Sequence, residues 1–271
     1  MKEFLGFGGY TRTPEGYLSW QHLVFVTSLI LAAVLLAVVL GRRNRDRSPR
    51  EKNRVLVAAA ILIDLLEITK IVLFCLRSQS TDCLKHNLPL FLCSIQLIAL
   101  PLAAFSRGRL KEAALDFVSI FGVLGMVLGM YGAGQNYNAY PVLSLDNVAS
   151  GLTHSVSGFA ALYITISGLA SLKKRNIWLT CAILMGFCAV AYAVDLLIPY
   201  NYMFLMSHDG TPYVFVWRLI YGDAEQVSLP LAYSAAVVGL FLLYIAAFYS
   251  VCYLVRRKAK RRDQPYNGGC Q

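Results

Sequence analysis

The chain has 271 residues, 57% of them hydrophobic and only 15% charged, with a mean hydropathy of +0.56, and this excludes a water-soluble globule. Runs of about 20 apolar residues, the length that crosses roughly 30 Å of hydrocarbon, define instead an all-α polytopic membrane protein. The net charge of +10 would raise the question of nucleic acid in a soluble protein; here it asks which side of the membrane the basic residues occupy.

Hydropathy predicts seven spans in chain order: Leu18–Leu40, Val55–Leu76, Leu88–Phe105, Ala113–Met130, Val148–Ala170, Ile177–Ile198 and Leu229–Val255. The first is expected to be retained rather than cleaved, because no basic n-region precedes it and a basic stop-transfer stretch follows. That stretch holds Arg42, Arg43, Arg45, Arg47, Arg50, Lys52 and Arg54; the third-to-fourth connector holds Arg107, Arg109 and Lys111. The fifth-to-sixth connector has Lys173, Lys174 and Arg175, and the tail has Arg256, Arg257, Lys258, Lys260, Arg261 and Arg262, so alternate connectors carry 19 of the 25 basic residues. This asymmetry predicts an outside N-terminus, a cytoplasmic C-terminus and an odd number of spans. The basic connectors read as a topology signal rather than as an anionic-lipid site, and no nucleic-acid motif accompanies them. Residues 1–255 therefore form one transmembrane domain, followed by a basic cytoplasmic tail over 256–271 that is expected to be disordered.

Ionisable groups inside a bilayer are expensive, so each is a functional candidate. The second span contains Asp64, Glu67 and Lys70, the first His22, the fifth His154 and the sixth Asp195, while the thiol of Cys93 lies in the third. Helix rise puts Cys93 and His154 about 8 Å below the outer ends of their spans, with His22, Glu67, Lys70 and Asp195 in the same outer layer. A thiol beside an imidazole is the chemistry of a nucleophile and its proton acceptor, leading through attack on an ester carbonyl to a thioester, with Glu67 or Asp195 as the carboxylate that orients the ring. Alternatively Glu67 pairs with Lys70 at i+3, which makes the second helix less costly to insert.

Each of these residues also has a structural reading. Free cysteine is commonly a small buried hydrophobe, and Cys75, Cys83, Cys181, Cys188, Cys252 and Cys270 accompany Cys93. An intramembrane histidine such as His22 or His154 also serves as a cross-helix hydrogen-bonding group. His22, His154, Cys93 and Glu67 are metal-ligating types, but none stands at metal-site spacing within a helix, so no metal and no cofactor are expected. Cys75 and Cys83 fall near the outside and can pair if that compartment is oxidising. The outer loops concentrate aromatics, and the sixth-to-seventh connector, with Tyr200, Asn201, Tyr202, Phe204 and Tyr213, is long enough for a lid-like segment over the layer.

The run Leu88, Pro89, Leu90, Phe91, Leu92, Cys93, Ser94, Ile95 resembles the LPLxLC signature of the YwaF family of bacterial integral membrane proteins, whose eukaryotic relative is transmembrane protein 164. Glu67, the segment from His154 to Ala161, Leu162, Tyr163, and the run Asn201, Tyr202, Met203, Phe204, Leu205 are similar to further stretches of that family, in the same order. The resemblance implies a seven-helix protein of the bacterial plasma membrane and a cysteine-dependent transfer of fatty acyl chains between phospholipids. On that basis Cys93 is the expected nucleophile and His154 its proton acceptor and donor, with Glu67 and Asn201 as supporting polar groups; Asp195 and His22 join the site by depth alone. The expected partner is a phospholipid or other acyl lipid, with Ser94 or Asn201 supporting the oxyanion. The competing expectation is a seven-helix transporter or ligand sensor whose polar pathway is lined by Asp64, Glu67 and Lys70.

Overall fold

The structure, a computed structural model, describes residues 2–262 apart from 81 and 171. Among the described residues it is entirely helical, without a strand. The order is α1 (Lys2–Leu5), α2 (Trp20–Arg43), α3 (Pro49–Ser78), α4 (Cys83–His86), α5 (Gln96–Phe105), α6 (Gly108–Tyr131), α7 (Gly134–Ala139), α8 (Leu145–Ile166), α9 (Ile177–Leu197), α10 (Val214–Tyr221) and α11 (Leu231–Arg262). Four stretches are long and apolar enough to cross a membrane: Trp20–Arg43, Gly108–Ala139, Lys174–Leu197 and Leu231–Arg257. The other three predicted spans fall on α3, which carries Asp64, Glu67 and Lys70, on α8, and on the short α5.

A local signal starts α3 at Pro49, ahead of the span predicted from Val55. Ser48 accepts from the Glu51 amide while Glu51 reaches back to the Ser48 amide, and Pro49 occupies the first helical position, so α3 begins on a full capping box. Its Ile61, Leu65, Ile68, Val72 and Leu76 face outward, and Leu56, Ala59, Ala60, Ile63 and Glu67 face the bundle, the two-faced pattern of a helix between lipid and protein. At the other end of the chain, α11 continues to Arg262, so the first part of the tail expected to be disordered is helical, because no glycine or proline follows Gly239 within the helix. The expected disorder of 263–271 lies outside the described residues.

The third predicted span is corrected by the structure. Leu88–Phe105 is not one helix: residues 88–95 form turns, and only Gln96–Phe105 is helical. Pro89 has no amide to give; the Leu90 amide is spent on the Leu88 carbonyl at 2.7 Å, and the Ser94 hydroxyl takes the Phe91 amide at 3.1 Å and donates to the Phe91 carbonyl at 3.2 Å. These short-range bonds replace the helical ladder. Non-helical backbone at membrane depth is tolerated where it lines a cavity, and that is where this segment lies.

The centre of the bundle is α6 against α8. In the most apolar 18 residues of Gly108–Ala139, 72% of the residues are buried, whereas in the matching parts of α2, α9 and α11 only 17% to 22% are, so these three form the periphery. Glycine makes the central contact: a Cβ on Gly122 would lie 2.8 Å from Ala161 Cβ and 2.9 Å from the Ser157 carbonyl oxygen, and Gly158 likewise receives Met126. Close approach through small residues is the usual packing device between membrane helices.

The same helix buries Asp116, an intramembrane ionisable group omitted from the predicted polar layer although it lies inside the fourth span. Its carboxylate is fully buried and accepts from the Leu172 amide at 3.1 Å, the Asn176 side chain at 3.0 Å and the Tyr249 hydroxyl at 2.8 Å, joining α6 to the connector before α9 and to α11. Asp116→Ala leaves three buried donors without their acceptor, at about 1–3 kcal/mol each before relaxation. We expect a net loss of about 3 kcal/mol and a lower midpoint in thermal unfolding of the detergent-solubilised protein, with Asp116→Asn nearer to wild type.

Candidate functional site

A cavity of about 1080 Å³ opens where α3 ends and α8 begins. Its mouth is polar, with Arg77, Asp82, His86, Asn136, Asp146 and Asp209, and its inner wall is largely apolar, with Ile63, Leu97, Phe121, Leu124, Met203 and Phe241. Arg77 clamps Asp146 with two hydrogen bonds, 2.7 and 2.8 Å, and Tyr10 donates to the same carboxylate at 2.5 Å. Burial and then the hydrogen bond to Asp146 push the Tyr10 phenol up to about 12, so it stays protonated and donating at neutral pH. The N-terminal segment is thereby strapped across this end, with Tyr17 bonded to Asn138 and the Glu15 carboxylate accepting from the Val142 amide.

Cys93 and His154 both line the cavity, and α6 holds them in register. A Cβ on Gly125 would lie 3.8 Å from Cys93 Cα, and a Cβ on Gly129 would lie 2.6 Å from His154 Nδ1 and closer still to other ring atoms. Gly125 and Gly129 are one helical turn apart, about 6 Å along the axis. The turn carrying the thiol and the imidazole on α8 therefore rest on successive turns of one helix, and both side chains are only partly buried. Among the described residues the Cys93 and Ser94 amides donate to no backbone carbonyl.

Glu67 is the third predicted member in the cavity, but it does not orient the imidazole. Its Oε1 is 2.5 Å from Lys70 Nζ, with the two side chains 9% and 15% exposed, so the i+3 pairing is the arrangement found. Asp64, one turn back along α3, is outside the lining.

The remaining predicted residues serve other contacts. His22 is fully buried beside Tyr137, with its Nδ1 accepting from the Leu18 amide at 3.1 Å and its Nε2 3.1 Å from the Met130 carbonyl, so it ties α2 to the end of α6. Asp195 accepts from the Tyr202 amide at 2.8 Å. Asn201 spends both ends of its amide within its own loop, on Ser207, Asp209 and the Met206 amide. Neither His22, Asp195 nor Asn201 lines the cavity; the loop that Asp195 and Asn201 shape does, through Tyr200, Met203, Phe204, Asp209 and Tyr213. Equal depth along separate helices says nothing of azimuth, which is why a shared layer did not mean a shared site.

Two features escaped sequence reasoning. Gly125 and Gly129 are spaced i, i+4 in the fourth span, a small-residue signal for close helix approach, and the Arg77–Asp146 clamp joins positions 69 residues apart with no local signature. Cys75 and Cys83 are disulfide-bonded, with Cα atoms 5.8 Å apart, which ties the end of α3 to α4 at the cavity rim. Among the described residues no three His, Cys, Asp or Glu side chains group as a metal site.

Apolar helices around a polar-mouthed cavity that contains a thiol and an imidazole define an integral membrane protein with an internal site. The model of the TMEM164 family matches residues 17–249, and the chain belongs to that family. No curated protein and no solved structure matches it.

Proposed function

We propose that the protein is a thiol-dependent lipid acyltransferase or lipid hydrolase that works at the outer leaflet, in a seven-helix arrangement with an outside N-terminus and a cytoplasmic C-terminus. The observation that carries this reading is the placement of Cys93 and His154 on one cavity wall, against consecutive turns of α6. The polar mouth suits a headgroup and the apolar inner wall an acyl chain.

In this reading the Cys93 thiol gives its proton to His154, the thiolate attacks the ester carbonyl of the lipid, and the tetrahedral adduct collapses as the lysolipid alkoxide takes the proton back from His154. The acyl group is then a thioester on Cys93. A second hydroxyl, from a lysolipid or water, loses its proton to His154 and attacks the thioester, and the thiol is restored. The Ser94 side chain is engaged by Phe91 and Asn201 lies outside the cavity, so the free Cys93 and Ser94 amides take the oxyanion role.

The test is intact-protein mass spectrometry of the purified chain after exposure to mixed phospholipids. A fatty-acyl mass increment removed by hydroxylamine is the expected result; a folded, lipid-exposed protein with no increment overturns the reading.

A further inference from the structure

Lys70 has no place in the chemistry above, yet its ammonium lines the same cavity as Cys93 and His154. Among the described residues the His154 imidazole has no hydrogen-bond partner, so no carboxylate supports it as a conventional triad acid would. The carboxylate that enters the cavity nearby, Glu67, is bonded to Lys70 instead. That bond fixes the ammonium, and the Phe74 ring, 6.0 Å away, flanks it. Against an apolar wall a fixed cation acts on a neighbouring anion more strongly than it would in water.

We propose that Lys70 is the electrostatic support of the Cys93 thiolate, with Glu67 positioning its ammonium. The inference rests on the thioester reading of the same site. It divides the labour differently from a Cys-His-acid triad: His154 moves the proton, the Cys93 and Ser94 amides serve the oxyanion, and Lys70 supports the negative charge on sulfur. Glu67 is then a positioning residue that acts through Lys70.

The test is the alkylation rate of Cys93 by iodoacetamide, followed by peptide mass spectrometry on the full-length protein between about pH 6 and pH 10, because the thiolate is the reacting species. Lys70→Met leaves Glu67 buried without its partner, so the informative protein is the Lys70→Met, Glu67→Gln double variant, which keeps the site neutral. We expect its alkylation near neutral pH to fall about tenfold, equivalent to one unit in the profile, and Lys70→Arg to keep most of the wild-type rate. A double variant that alkylates as fast as wild type overturns the proposal, even where Lys70→Met alone is slow, since the single effect is then the stranded Glu67 charge. Acyl-adduct formation is scored separately on the same proteins. A missing adduct in wild type defeats the thioester reading but leaves the alkylation result to decide the role of Lys70, and a normal adduct rate in the double variant defeats the role of Lys70 alone.

Discussion

Cys93→Ala is expected to remove the hydroxylamine-labile acyl adduct completely and to lower lipid acyl transfer or hydrolysis by at least about 10³-fold, the scale on which loss of a nucleophile acts. The sulfur has no substitute in the cavity. Cys83 is the other cysteine lining it and is held in a disulfide, while Cys181, Cys188 and Cys252 are outside the lining. Truncation to alanine removes a small, partly buried side chain with no hydrogen-bonded network to collapse, so thermal stability is expected to stay close to wild type. Activity measured on liposomes containing a labelled phospholipid, beside the intact mass, checks both halves. Full activity in Cys93→Ala would reject the nucleophile. The transporter or sensor alternative is then tested by its own signature, transport lost in Glu67→Gln and retained in Cys93→Ala.

The second large effect is expected at Gly129, which touches no substrate in this reading. The three atoms nearest to a Cβ there all belong to the His154 imidazole, so Gly129→Ala drives the ring from its seat. Displacing a proton-transfer group by about 1 Å is enough to lower the rate about 10²-fold. Alanine is the better helix former by about 1 kcal/mol, which offsets part of the roughly 1–3 kcal/mol that displacing the ring costs, so the variant is expected to fold with a loss of at most about 2 kcal/mol. Gly125→Ala is the matched control. Its Cβ would find Cys93 Cα at 3.8 Å, an ordinary contact, and most activity is expected to remain. Equal activity in Gly129→Ala and Gly125→Ala would mean that the imidazole does no chemistry in that position.

Some of this architecture was legible before any coordinates. Apolar run length places the bundle's long helices, because the bilayer requires backbone bonds to close within each segment, whereas the capping box at Ser48–Glu51, which starts α3 ahead of the predicted Val55, was not read. The i+3 spacing of Glu67 and Lys70 carries their pairing within a single helix, where sequence distance sets spatial distance. The same logic fails at Leu88–Ile95. That run is apolar enough to read as helix, and only the local bonds of Ser94 and the missing amide of Pro89 show that the chain turns there.

The membership of the site was legible only in part. Residue type and depth nominated Cys93, His154 and Glu67, which line the cavity, together with His22 and Asp195, and the resemblance added Asn201; these last three lie outside the lining, in helix pinning and loop shaping. Hydropathy and charge along the chain determined that this is a helical membrane protein, and motif residues nominated its thiol and imidazole. Which polar groups meet was decided by the tertiary structure alone, because the direction each helix turns toward its neighbours depends on packing such as the glycine contacts of α6 with α8, and that information is distributed across segments far apart in sequence.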